Sequence, residues 1–147
     1  MASRLITDLD PVLQPLAQEF LDRCEAVGIE VFLTQTYRSA TEQDADYAQG
    51  RTVPGHIITN AKGGESPHNC TRIDENGNTV PAARAFDFGI RLGENELDWD
   101  AEDSEWQDAL AIVKALGLVS GSTFHGIVDN PHAELPSWKN GPPFIIL

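Results

Sequence analysis

The segment Arg84-Ala85-Phe86-Asp87-Phe88-Gly89-Ile90 alternates with a period of two, setting Phe86, Phe88 and Ile90 on one side and Ala85, Asp87 and Gly89 on the other. A strand divided in this way belongs to a sheet with one greasy face, and it presents Asp87 opposite that face. The rest of the chain must supply the apolar layer that the greasy face requires.

Two strong helical patterns supply it. Asp10-Pro11 is a cap followed by proline, after which Val12, Leu13, Leu16, Ala17, Phe20, Leu21 and Cys24 recur at helical spacing until Gly28. Trp106, Ala109, Leu110, Val113 and Leu116 form another such stripe, entered near Asp103 or Ser104 and ended by Gly117. Between them, Ser39-Ala40-Thr41-Glu42 is a capping-box sequence opening a helix that Gly50 can close. Strands are expected at Ile29 to Gln35, His56 to Thr59, Thr123 to Val128 and His132 to Leu135, with an open loop from Asn60 to Pro67. The Asn76-Gly77 turn signal predicts an inserted hairpin over residues 70–83. Helices and strands in this order read as an α+β fold. Its length of 147 residues suits one domain spanning 1–147.

Charge narrows the partners. With 23 acidic and 10 basic residues the net charge is −13, which opposes a phosphate-tracking surface, so no nucleic-acid partner is expected. An anionic substrate must therefore be held by a local site. The first residues lack the apolar run of a secretory signal, and no stretch has the roughly 20 apolar residues of a membrane span. The expectation is synthesis in the cytoplasm without a signal peptide and without membrane insertion. Cys24 and Cys70 are too few and too far apart for a disulfide framework or a thiolate cluster.

Two of the four histidines follow proline, in Ser66-Pro67-His68 and Asn130-Pro131-His132. Proline fixes the backbone before each imidazole, which suits a ligand that must not wander. A catalytic zinc takes imidazoles and at times a carboxylate in tetrahedral array with one position left open, and His68, Asp87 and His132 form such a set. A nearby carboxylate would serve as general base. Asp129, three residues before His132, and Glu134, on the strand face of His132, both qualify by local spacing. Taken singly, each of these residues has an ordinary alternative, such as a cap or a surface pair.

Several separated motifs carry a resemblance across most of the chain. Thr36-Tyr37-Arg38-Ser39 with Glu42-Gln43, Tyr47 to Gly55, Ser66-Pro67-His68-Asn69, Ala85-Phe86-Asp87-Phe88 and Asp129-Asn130-Pro131-His132 together resemble the D-Ala-D-Ala carboxypeptidase and L-Ala-D-Glu endopeptidase family of zinc peptidases. The resemblance implies a small hedgehog/DD-peptidase-like domain, its antiparallel sheet bearing Zn2+ on one face and helices on the other. It implies that His68, Asp87 and His132 hold the zinc and that Asp129, rather than Glu134, is the base. Arg38 would hold a substrate carboxylate or the developing oxyanion, and Ser66 and Gln43 would line the cleft.

The implied substrate is the peptidoglycan stem peptide. The segment Gln49-Gly50-Arg51-Thr52-Val53-Pro54-Gly55 is similar to phage endolysins and autolysins of the L-alanyl-D-glutamate endopeptidase type. Such a lysin, expected as a monomer, would act on the wall after release, with no wall-binding domain following Pro136. The alternatives are a D-Ala-D-Ala carboxypeptidase, a non-catalytic zinc module that binds wall peptides, and an acidic interaction protein without metal. The sequence departs from the family pattern in several respects: Ala83 stands where a glycine is usual, Ala133 follows His132 where a bulky apolar residue is common, and the usual tryptophan is missing at Val119-Ser120. His68 and Asp87 stand 19 positions apart, wider than usual, so the 70–83 insertion must loop out. Asp74 and Glu75 fall nearer the usual spacing, but the strand around Asp87 favours Asp87.

Overall fold

The structure, a computed structural model, describes residues 2–140. Met1 and 141–147 lie outside the described residues, and the expectation about the tail after Pro136 falls partly among them. The elements are α1 (Leu13–Ala26), β1 (Glu30–Gln35), α2 (Ala40–Ala48), β2 (Thr71–Ile73), β3 (Thr79–Pro81), β4 (Ala85–Gly93), β5 (Glu96–Asp98), α3 (Ser104–Ala115), β6 (Val119–Ser120) and β7 (His132–Glu134).

β4 organises the sheet. It pairs antiparallel with β1 along one edge; on the other edge its first half pairs with β7 and its second half with β5. β6 extends the sheet beyond β7, and β2 and β3 form a separate hairpin. The arrangement is α+β with an antiparallel sheet.

The alternation in β4 decides which face is covered. Phe86, Phe88 and Ile90 are fully buried against Phe20 of α1 and Trp106 of α3. Ring centroids lie 4.8 Å apart for Phe20 and Phe88 and 5.2 Å apart for Phe88 and Trp106. Removing one such ring costs roughly 3–5 kcal/mol. On the opposite face Gly89 leaves room for its cross-strand neighbour Phe32, whose Cζ would stand 2.8 Å from an added Cβ.

Local chemistry sets the helix ends. Asp10 Oδ1 accepts the N–H of Val12, and at the far end Gly28, at φ 81°, lets Ile29 donate back to the carbonyl of Cys24. Ser39 and Glu42 form a reciprocal capping box at α2. Among the described side chains of α2, Gln43 is the buried one, so this helix belongs to the rim of the site more than to the core.

Two expected strands take other forms. Residues 56–59 are irregular, with Ile57 and Ile58 about half exposed. Side chains serve their carbonyls, Gln49 donating to His56 and Arg51 to Thr59. The strand expected over Thr123 to Val128 is absent: β6 and a 3-10 turn, Gly121–Thr123, come before it, and residues 124–128 are irregular.

Candidate active site

The register of β4 and β7 places Asp87 directly opposite His132, on the open face of the sheet. The amide of Phe88 donates to the carbonyl of Pro131 (3.0 Å) and locks the turn before His132. His68 arrives from a 3-10 turn, Pro67–Asn69, capped reciprocally by Ser66 and Asn69. That turn is pinned on two sides: Arg38 N–H donates to the carbonyl of His68, and Arg84 N–H to that of Pro67, each at 2.9 Å. Residues far apart in the chain thus meet on rigid backbone.

The outer nitrogens of the two imidazoles are engaged. His68 Nδ1 stands 2.7 Å from the carbonyl oxygen of Thr36, and His132 Nε2 stands 2.8 Å from Glu134 Oε1. Both oxygens accept, so in neutral imidazoles Nδ1 of His68 and Nε2 of His132 carry the protons. The lone pairs of His68 Nε2 and His132 Nδ1 then face inward, 3.2 Å apart. Asp87 Oδ1 completes the triangle, 3.2 Å from His68 Nε2 and 3.1 Å from His132 Nδ1.

Three lone pairs at these separations repel unless a cation lies among them. Tetrahedral ligands at zinc bond lengths of roughly 2.0–2.1 Å stand about 3.3 Å apart, so the edges fit one metal ion with a position left open. Electrostatics agree. Burial raises the Asp87 carboxyl, but the charge of His68 and hydrogen bonds from His132 and His68 outweigh it and hold Asp87 below the usual carboxylate range. Burial works to lower His132, yet Asp87 and Glu134 prevail and push it up to about 9. Both shifts mark a place where positive charge is favoured.

Asp129 stands at the edge of the group, its Oδ2 4.0 Å from His132 Nδ1. Its carboxyl is pushed up, first by burial and then by the charge of Asp87, against the pull of His132, His68 and Arg38. Gly121 holds the Asp129 turn close: a Cβ at Gly121 would come within 2.0 Å of the Asp129 carbonyl oxygen and 2.9 Å of His132 Cβ.

Arg38 faces the other oxygen of Asp87, with Nη2 3.9 Å from Oδ2. Its fork is oriented by Gln35 Oε1, which accepts from Nε and Nη2, and by Gln43 Oε1, 2.7 Å from Nη1. Asp46 adds charge at 3.5 Å. Arg38, Ser66, His68, Asp129 and His132 line one open cleft of about 970 Å³.

Gln43 does not reach the cleft wall. It is fully buried behind Arg38, with its amide donating to the carbonyl of Ala61 (2.9 Å). Ser66 does line the cleft, and its hydroxyl accepts the N–H of His68. Glu134 also lines the cleft, but its carboxylate engages His132 Nε2, the nitrogen turned away from Asp87 and His68. Asp74 accepts the N–H groups of Asn76 and Asn78 in the turn between β2 and β3. Neither Cys70, His56 nor His125 joins the His68, Asp87, His132 group. The Thr36 carbonyl and Gly121 escape a reading of side chains, since one acts through its backbone and the other through having no Cβ. Glu134 was legible as a neighbour of His132, though its outward-facing partnership was not.

Two imidazoles and a carboxylate converge on the open face of a sheet as a group that could hold a metal ion, beside an aspartate and an arginine in a cleft, an arrangement suited to hydrolysis. No protein-family profile matches the sequence. Over 136 residues, 88% of this chain and 74% of the relative, it is 33% identical to the peptidoglycan L-alanyl-D-glutamate endopeptidase CwlK of Bacillus subtilis (strain 168). It is also 27% identical over 121 residues to the L-alanyl-D-glutamate peptidase of Listeria phage A118, covering 80% of this chain and 34% of the phage protein. The chain belongs to the family of peptidoglycan L-alanyl-D-glutamate peptidases. It is therefore a peptidase, and among its described residues no helix is long and apolar enough to cross a membrane.

Proposed function

We propose that this chain is a zinc-dependent endopeptidase that hydrolyses the L-alanyl-D-glutamate bond of the peptidoglycan stem peptide. The observation that carries the reading is the triangle of His68 Nε2, Asp87 Oδ1 and His132 Nδ1, with edges of 3.1–3.2 Å, while the other nitrogen of each imidazole is held by an acceptor oxygen. These three residues would hold Zn2+, which, when bound, polarises a carbonyl and acidifies water.

The remaining steps fall to the chain. Asp129, its carboxyl pushed up first by burial and then by the charge of Asp87, takes a proton from the attacking water and passes it to the departing amine. Arg38 stabilises the negative charge that develops on the scissile oxygen or holds a substrate carboxylate, its fork kept in place by Gln35 and Gln43. Ser66 shapes the wall of the cleft and fixes the backbone of His68. Residues 1–147 would act as one monomeric domain, with 70–83 an inserted hairpin. The protein would be made in the cytoplasm and reach the wall after release, as an endolysin or autolysin.

Digestion of purified peptidoglycan followed by mass analysis tests this reading. The expected products carry a new free amine on D-glutamate and a new carboxyl on L-alanine. Release of terminal D-alanine instead would establish a carboxypeptidase, and stoichiometric zinc without turnover would establish a binding module.

A further inference from the structure

We propose that a second cation site, for a hard divalent ion of the calcium class, lies where β5 meets α3 and is formed by the carboxylates of Asp98, Asp103 and Glu105. One carboxylate oxygen from each lies within 4.8 Å of the others. Oxygens on opposite sides of a calcium ion are about 4.8 Å apart at Ca–O distances near 2.4 Å, so the three fit one coordination sphere.

The independent observation is Asp98 itself. It is only 3% exposed, and while its Oδ1 accepts the N–H of Asp100 at 2.9 Å, its Oδ2 is buried with no hydrogen-bond partner. An ionised carboxylate oxygen left in that state carries a desolvation cost that a coordinated cation removes. Asp103 points the same way. It is the N-cap of α3 yet makes no side-chain cap bond, and its carboxyl is pushed up first by close hydrogen-bonding approach to the Asp98 carboxylate, a pairing that a bridging cation would replace. Among the described residues, no Lys, Arg or His forms an ion pair with Asp98, Asp103 or Glu105. Neighbouring positive potential comes from the α3 N-terminus, whose partial charge is smaller than that of three carboxylates.

The donor set decides the ion class. Every side-chain ligand is oxygen, with no imidazole or thiolate, which selects calcium or magnesium over zinc. The flexible coordination of calcium suits ligands drawn from a strand end and a helix start. With water completing the sphere, affinity belongs in the range of about 10⁻⁴–10⁻³ M. Binding would tie the end of β5 to the start of α3, where Trp106 Nε1 already donates to the Asp98 carbonyl at 2.7 Å and its ring stacks on Phe88 of β4.

The site has a built-in reporter, because Trp99 and Trp106 flank it with ring centroids 6.1 Å apart. Terbium, a luminescent stand-in for calcium, is titrated into the full chain with its active-site metal retained, exciting the tryptophans. The expected result is sensitised emission saturating at one ion per chain, displaced by calcium, and calcium raising Tm by several degrees at about 10 mM. Asp103→Asn and Glu105→Gln, which spare the buried Asp98, should each weaken both signals by ~10-fold or more in affinity. Unchanged emission and Tm response in both variants would overturn the proposal. So would stabilisation by mild acid with no cation response, which would assign a shared proton to Asp98 and Asp103.

Discussion

Asp87 and His132 are direct cross-strand partners, the one on the central strand and the other on a strand of three residues. Opposed residues on neighbouring antiparallel strands project side by side from the same face. The Asp87 and His132 side chains therefore converge through sheet register, with His132 Nδ1 3.1 Å from Asp87 Oδ1. A one-residue slip would send His132 to the core side.

The hydrogen bond behind His132 predicts how the metal is held. Glu134→Ala should weaken zinc affinity by roughly 10–100-fold, because the imidazole loses the partner that fixes its tautomer. Glu134→Gln, which can still accept from Nε2, should recover a good part of that loss. Competition with a chromogenic chelator reads both, and equal affinity in all three proteins would contradict the role given to Glu134.

Gly121 tests the positioning of Asp129 without touching a reactive group. An alanine there must displace the Asp129 carbonyl, since the contact of 2.0 Å is with backbone and not with a flexible side chain. Gly121→Ala should destabilise the fold by about 1–3 kcal/mol and lower kcat by ~10-fold or more. Urea unfolding together with peptidoglycan turnover checks it; wild-type values in both would show that the turn yields freely.

Arg38 is predicted to require its fork. Arg38→Lys keeps the charge but cannot span Gln35, Gln43 and Asp87 at once. Turnover should fall by roughly 10²–10³, with zinc content unchanged. Loss of metal along with activity would instead make Arg38 a structural support of Asp87.

The two thiols give a pH prediction. Burial pushes Cys24 up to about 11 and, with Arg84 opposing, Cys70 up to about 12. In the unfolded chain a thiol ionises near 8.5. Above that pH the unfolded state loses protons that the native state keeps, so this contribution to stability is fully present below about pH 8.5. It then falls by about 1.4 kcal/mol per pH unit for each thiol until the native thiols ionise. Denaturation curves from pH 7 to 10 should show the decline, and a Cys24→Ala, Cys70→Ala double variant should lose that component. Native thiols should also resist aromatic disulfide reagents at neutral pH until unfolded; rapid native reaction would contradict the burial.

Much of this arrangement is legible in the sequence where local pattern and tertiary environment agree. The alternation around Asp87, the apolar stripe of α1 and the Ser39/Glu42 box each follow from one physical demand. Legibility fails where partners are distant or unpatterned. Ile57 and Ile58 are β-branched, yet they are adjacent rather than alternating, and nearby side chains serve the backbone there. β5 inverts the usual cue, with Leu97 40% exposed and Asp98 buried. The Thr36 carbonyl that orients His68 leaves no side-chain signal at all.

Anomalous scattering at the zinc absorption edge, from crystals of the purified protein, tests the central claim most directly. The prediction is one strong peak bonded at about 2.0–2.2 Å to His68 Nε2, Asp87 Oδ1 and His132 Nδ1, absent from the His68→Ala variant. A peak on His132 Nε2, or none among these three side chains, would contradict the account.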